Sequence, residues 1–306
     1  MIIQIQHTTR YDYDGPVSFS DHQLRVCPRS DHALRWIDFS VITHPKSSQR
    51  WVRDVYNNPV WVCNFGLQES RELVFEVSLK VEIERENPFN FILDPHALSY
   101  PLKYQAIERE ALKPYIDHAV GGAGSVLDWF YEAVPSPVTH DEILIFISDL
   151  NQALRRDIRY VRREEEGVQS PDETLNLRAG SCRDMAWLMI AICRQLGLAA
   201  RFVSGYLHVP VPEEGDGGVQ APVNRAAGSM HAWVEIYLPG AGWKGFDPTN
   251  GILADSLFIP CAVSLDPIGA APTVGRYFAK TPTQSKMDFT LSITVDESTA
   301  GDTPGV

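Results

Sequence analysis

Cys182 follows Gly180-Ser181 and stands at the start of a run, Ser181 to Leu196, that is apolar on nearly every side. If that run is a helix, its N-terminal N–H groups and macrodipole favour a thiolate over a thiol at Cys182 and can also stabilise an oxyanion. A free cysteine more commonly serves as a small apolar filler, and position alone leaves both readings open. Cys193 is the internal comparison. It lies roughly 16 Å further along the same helix, away from the terminal dipole, and reads as structural. Cys27, Cys63 and Cys261 have no helix start beside them.

A thiolate nucleophile needs a base that can also act as an acid, and a group that orients that base. His231 opens the run His231 to Leu238 directly after a long loop, where an imidazole can face a cleft. Asp247 ends the next strand-like run, and the turn Pro239-Gly240-Ala241-Gly242 brings the far ends of the two strands to one edge. Taken singly, His231 could be an ordinary surface or core histidine, and Asp247 before Pro248 an ordinary turn residue. The 5 cysteines show no CxxC pair and no CxxC…HxxxH spacing, and no D-x-D-x-D-G run occurs, so neither a metal nor another cofactor is expected.

The elements that must hold these residues can be read from periodicity. Thr139-His140-Asp141-Glu142 has the form of a capping box, and Ile143, Phe146, Ile147, Leu150 and Leu154 follow at helical spacing. Ser170-Pro171-Asp172-Glu173 starts a second, short helix that Gly180 is expected to close, and Gly197 supplies the stop for the helix after Cys182. Strands return at 201–208, 231–238 and 243–246. Helices, one central buried helix, then antiparallel strands make an α+β arrangement. Ahead of it, residues 1–86 read as β throughout. Leu73, Phe75, Val77, Leu79, Val81 and Ile83 alternate with mostly polar neighbours, and shorter runs between Gly, Pro and Asn turns suggest a small antiparallel β-sandwich. Residues 87–121, punctuated by Asn87-Pro88, Asp94-Pro95 and Tyr100-Pro101, show no sustained period and read as a connecting segment. The core then spans 122–295, its last strand carrying Phe289, Leu291, Ile293 and Val295, and 296–306 reads as a disordered tail.

Four blocks occur in one order: Gly180-Ser181-Cys182-Arg183-Asp184-Met185-Ala186-Trp187-Leu188, Gly197 to Tyr206, His231-Ala232-Trp233-Val234-Glu235, and Gly242 to Asn250. Together they closely resemble the transglutaminase-like superfamily, in the bacterial branch whose members are described as candidate cysteine proteases. The resemblance covers roughly Tyr131 to Asn250, and the β-rich first part resembles the β-sandwich that precedes the core in this branch. It implies a papain-like, transglutaminase-like core with a catalytic triad of Cys182 as nucleophile, His231 as general acid/base and Asp247 as orienter. Tyr160 and Gln169 are then candidates for a side-chain oxyanion donor. Asp184 is expected to cap the helix or pair with Arg201, and Trp233 to shield the His231 strand from water. The implied reaction is acyl transfer on an amide or peptide bond through a thioester, hydrolysis being favoured over amine crosslinking. The alternative is a non-catalytic peptide- or protein-binding module that retains the fold. Family members often continue past Asn250-Gly251 with a segment that the stretch Phe258 to Pro267 does not match, so no substrate contact carries over there.

Composition narrows the partners. Lys+Arg 27 against Asp+Glu 39 gives a net charge of −12, the wrong sign for binding phosphate backbones or anionic lipid, so neither nucleic acid nor membrane is expected as a partner; the protein or peptide substrate is what the resemblance implies. Part of that charge lies in the Pro-, Gly- and acid-rich loop Val209 to Gly228, expected to border the cleft and repel acidic substrates. Few cysteines, odd in number, suggest free thiols in a reducing compartment. Met1 to His7 lacks a basic n-region and an apolar run of signal-peptide length, so the expectation is a cytoplasmic protein.

Overall fold

A computed structural model describes residues 1–84, 87–135, 138–163, 165–208 and 230–296. The chain begins with β1 (Ile2–Phe19), β2 (His22–Leu24), β3 (Leu34–His44), β4 (Ser48–Arg53), β5 (Pro59–Asn64) and β6 (Glu69–Ile83). Helices then take over: α1 (Ala106–Asp117), α2 (Val126–Ala133) and α3 (Ile143–Asp157), followed by β7 (Arg159–Tyr160), α4 (Pro171–Leu177), β8 (Ala179–Gly180) and α5 (Cys182–Gln195). Strands return as β9 (Ala200–Leu207), β10 (Met230–Leu238), β11 (Gly242–Asp247), β12 (Ile252–Leu253) and β13 (Phe258–Ser264). Finally come β14 (Thr273–Val274), β15 (Tyr277–Ala279) and β16 (Ser285–Asp296). Among the described residues no helix is long and apolar enough to cross a membrane.

The alternation in β6 does what a half-buried strand requires: Leu73, Phe75, Val77, Leu79, Val81 and Ile83 are all buried. β6 lies between β1 and β3, and a second antiparallel sheet runs β14-β2-β5-β4. Their inner faces share one apolar cluster that includes Ile3, Ile5, Phe19, Leu24, Cys63 and Phe75, which makes the first region the antiparallel sandwich expected. The second region is an antiparallel sheet in the order β12-β11-β10-β9-β13. α5 packs in one cluster with α2, α3 and the inner faces of β9 and β10, and is the central buried helix of an α+β core. Tyr206, Ile259 and Cys261 from that core sheet join the N-terminal cluster, so the two regions share packed surface.

Four details differ from the sequence expectations. First, β14, β15 and β16 pair with the N-terminal sheets rather than with the core, although 122–295 was expected to form one unit. The alternating residues of β16 match β1 in register (Ile3↔Val295, Ile5↔Ile293, His7↔Leu291), and Leu291, Ile293 and Val295 pack on the sandwich's apolar cluster. Second, the connecting segment contains α1. Its start is marked by Gln105-Ala106-Ile107-Glu108, where Gln105 N donates to Glu108 Oε2 at 2.8 Å, and it buries only Leu112 and Ile116. So narrow a stripe, with Pro114 inside the helix, hides its period. Third, the Thr139–Glu142 box does not form. His140 exchanges backbone hydrogen bonds with Tyr100 and its Nδ1 accepts from Glu142 N at 3.0 Å, so helical geometry starts only at Ile143. Fourth, α4 ends at Leu177 with Arg178 in the left-handed region (φ 48°), before Gly180 is reached. Gly180 pairs with Tyr160 instead, where a Cβ would lie 2.9 Å from Asp184 Cβ. The acidic loop 209–228 and residues 297–306 of the expected tail lie outside the described residues.

Candidate active site

Cys182 is the first residue of α5, and the helix is anchored before it begins. Ser181 N and Ser181 Oγ donate to Asp184 Oδ2 at 2.7 and 2.8 Å. Asp184 Oδ1 accepts Gln169 N at 2.8 Å, and Arg163 Nη1 donates to both carboxylate oxygens at 2.7 and 2.9 Å. Asp184 is fully buried, so a single carboxylate ties the segments before and after α4 to the helix start. The partner expected from the sequence, Arg201, pairs with Glu235 instead, at 2.6 Å, and lies over the Trp243 ring. The first N–H groups of α5 have no helical carbonyl to bond, which gives the thiol a positive local potential and a carbonyl oxygen its donors.

His231 enters from β10 and Asp247 from the end of β11, the two strands paired in the register Val234↔Phe246. His231 Nε2 donates to Asp247 Oδ2 at 2.8 Å, with both side chains fully buried. Nδ1, also buried, is left without a hydrogen bond to any described residue, and Cys182 is among the groups that raise the pKa of the imidazole. Catalytic hydrogen bonds of this kind are often loose until substrate is bound. Burial alone would lower the imidazole's pKa. The Asp247 charge and hydrogen bond, followed by Cys182, outweigh it and push His231 up to about 10. Asp247 is held below the ordinary carboxylate range: burial opposes this, but the His231 charge and hydrogen bond, with donors from Asn250 and Thr249, prevail.

The raised histidine predicts a stability profile. A group whose pKa rises on folding from 6.5 to about 10 contributes stability that is complete below the lower value and lost as pH rises to the upper one. Asp247 works in the opposite sense, contributing above its ordinary value of 3.8 and losing its contribution in more acid solution. Thermal melts of the full chain are therefore expected to fall in Tm between pH 6.5 and 10, and His231→Ala to flatten that slope. Equal slopes in the two proteins would contradict the buried ion pair.

Trp233 shields the imidazole, as expected. It is 1% exposed, with its ring centroid 6.2 Å from that of His231 and the two planes 24° apart. Phe258, on the strand beyond β9, lies 6.1 Å from the imidazole and adds a second apolar wall that the sequence reading did not include. The indole fits because each neighbouring strand offers a glycine. A Cβ on Gly205 would lie 2.9 Å from the Trp233 ring and 2.1 Å from Ile259 O, and one on Gly245 would lie 3.3 Å from Trp233 Nε1.

The two oxyanion candidates sit beside the helix start in different states. Tyr160 is half-buried in β7, pushed up to about 12 by burial first and then by the charge of Cys182, with that of Asp247 also contributing. It is a protonated donor near the thiol. The Gln169 side-chain oxygen accepts from Thr174 Oγ1 at 3.2 Å, while its backbone N–H is spent on Asp184. Asn250, which the sequence reading passed over, donates through Nδ2 to Asp247 Oδ2 at 2.6 Å. Its position three residues after Asp247 in the last of the four blocks was the available signal.

Among the described residues, Asp94, His96 and Glu108 bring one ligand atom each to within 4.8 Å of one another. Glu108 Oε2 already accepts from Gln105 N at 2.8 Å and lies 3.4 Å from His96 Nε2, so the cap of α1 engages this carboxylate. Asp94 N bonds Pro239 O, at the opposite end of β10 from His231.

Comparison with known proteins bears on the family and the fold. Residues 138–248 match the transglutaminase-like superfamily, and residues 3–82 match the bacterial transglutaminase-like N-terminal region, together more than half of the chain. An uncharacterized protein of Mycobacterium leprae is 24% identical over 312 residues, spanning 95% of this chain and 98% of that protein. Another, from Mycobacterium bovis, is 29% identical over 174 residues, which are 55% of this chain but only 52% of the relative. The crystal structure of a candidate cysteine protease from Cytophaga hutchinsonii superposes with a TM-score of 0.66 at 17% identity, over 98% of this chain and 92% of that one, and shares the fold. With both regions matched in order, residues 138–248 belong to the transglutaminase-like superfamily and residues 3–82 to the bacterial transglutaminase-like N-terminal region.

Proposed function

We propose that this protein carries out thiol-dependent acyl transfer on amide or peptide bonds, with hydrolysis favoured over amine crosslinking. One observation supports this above the others: a buried histidine is bonded to a carboxylate through Nε2, in a protein whose candidate nucleophile opens a buried helix and is among the groups that raise the pKa of that histidine. In this mechanism the Cys182 sulfur attacks the carbonyl carbon, and the oxyanion is met by the N–H groups at the start of α5, with Tyr160 or Gln169 as side-chain donor. The C–N bond breaks as His231 passes its proton to the leaving amine. A thioester remains. His231 then takes a proton from water, the hydroxyl adds to the thioester carbon, and the sulfur leaves. An amine as acceptor gives a crosslink by the same steps, so the outcome depends on whether the cleft admits water. No step requires a metal.

The cytoplasmic setting is part of this proposal and rests on the sequence alone, with 5 cysteines, an odd number, and no CxxC pair. The burial of Cys182, only 8% exposed, favours a second reading, in which the fold is kept as a binding module for a peptide or protein. A panel of peptide and amide substrates, assayed by mass spectrometry with and without a primary amine, separates them. Product formation with a detectable acyl-Cys182 adduct is expected; binding without turnover across the panel would favour the module.

A further inference from the structure

The carboxylate of Asp247 carries more than the imidazole. Oδ2 accepts two side-chain donors, His231 Nε2 at 2.8 Å and Asn250 Nδ2 at 2.6 Å, while Oδ1 accepts Thr249 N at 2.9 Å. Asn250 is 1% exposed, and its own Oδ1 has no partner among the described residues. An asparagine that merely completed a turn would satisfy both ends of its amide or leave them in water. Here the acceptor goes unpaired in the interior while the donor is committed to the carboxylate, an arrangement that costs stability unless the donor does something else.

We propose that Asn250 is a positioning residue for the Cys182 reaction, acting on His231 through Asp247. By occupying the second lone pair of Oδ2 it fixes the carboxylate plane, which aims the imidazole so that Nε2 stays with Asp247 and Nδ1 is left for the thiol. It also makes the carboxylate a weaker base, so the proton stays on Nε2 through the cycle. The donor contributes to the low position of Asp247 on the pH scale. The other titratable groups acting at this centre are His231 from β10, Cys182 from α5 and Tyr160 from β7. The inference rests on the reading of Cys182 as the nucleophile.

The test is the pH profile of iodoacetamide alkylation at Cys182 in the full chain, for the wild type and for Asn250→Ala, Asn250→Asp and Asn250→Ser. Losing a hydrogen bond to a charged group predicts alkylation about 10-fold slower for Asn250→Ala, with the acid limb moved to higher pH because Asp247 then takes a proton more readily. Asn250→Asp keeps the volume but faces one carboxylate with another, and is expected to lose at least as much. Asn250→Ser keeps a short donor and is expected to recover part of the rate. A folded Asn250→Asp protein, judged by near-UV circular dichroism, with the wild-type rate and profile would overturn the proposal. So would variants that lower only the folded fraction, including failure of all of them to fold. If the wild-type Cys182 itself reacts no faster than an ordinary thiol, the nucleophile reading falls and this inference with it. Fast wild-type labelling that the Asn250 variants leave unchanged removes the inference alone.

Discussion

Replacing Cys182 by alanine is expected to reduce turnover of any amide or peptide substrate by on the order of 1,000-fold or more, because the covalent intermediate can no longer form. The fold should survive, since the side chain is small and adds little to the surrounding core. The other cysteines provide the control. Burial pushes Cys27 and Cys193 up to about 12 and raises Cys63 and Cys261 as well, so all four remain thiols at neutral pH. Brief iodoacetamide treatment should therefore modify one site and abolish turnover in step with that modification, as peptide mapping would show. Inactivation that tracks any other cysteine, or activity that survives in Cys182→Ala, would contradict the assignment.

The second large effect is expected at Asp184, which would not touch substrate. Asp184→Ala removes the acceptor shared by Ser181, Gln169 and Arg163, leaving interior donors unpaired at the point where α5 begins. Breaking a buried charge pair costs about 3–5 kcal/mol, and since the Arg163 side chain is 18% exposed the lower end of that range is expected. Urea unfolding at constant m-value measures it directly. A cost below about 1 kcal/mol would mean that the helix start is held by something other than this carboxylate. The same variant should slow Cys182 alkylation, because the N–H groups around the sulfur lose their fixed direction.

What could be read from the sequence follows the range of the interactions involved. The stripe of Ile143, Phe146, Ile147, Leu150 and Leu154, the alternation in β6 and the cap of α4 depend on neighbours a few residues away, and all three are found in the structure. His231 and Asp247 were also legible, because a tight turn places paired strand ends together. Arg163 was not. It and Arg201 are equally plausible partners for Asp184 by composition, and only the packing of the segment before α4 chooses between them. The placement of β16 failed for the same reason: its alternation identifies a strand but carries no information about which sheet has a free edge. At Thr139 a local signal was present and was overridden, because a backbone bridge from Tyr100 holds His140 extended.

The pairing of β16 with β1 also bears on how this chain is made. Ile2 lies opposite Asp296, so β1 is synthesised well ahead of β16 and waits for the whole intervening core before that neighbour exists. Over that interval β1 can pair with β6 alone, presenting a long row of unsatisfied N–H and C=O groups on its other side. The sandwich is therefore not a module that finishes and leaves the core to follow. Its completion reports that translation has run through the core, and the nascent protein passes through a stage in which a sticky strand edge must be protected from other chains.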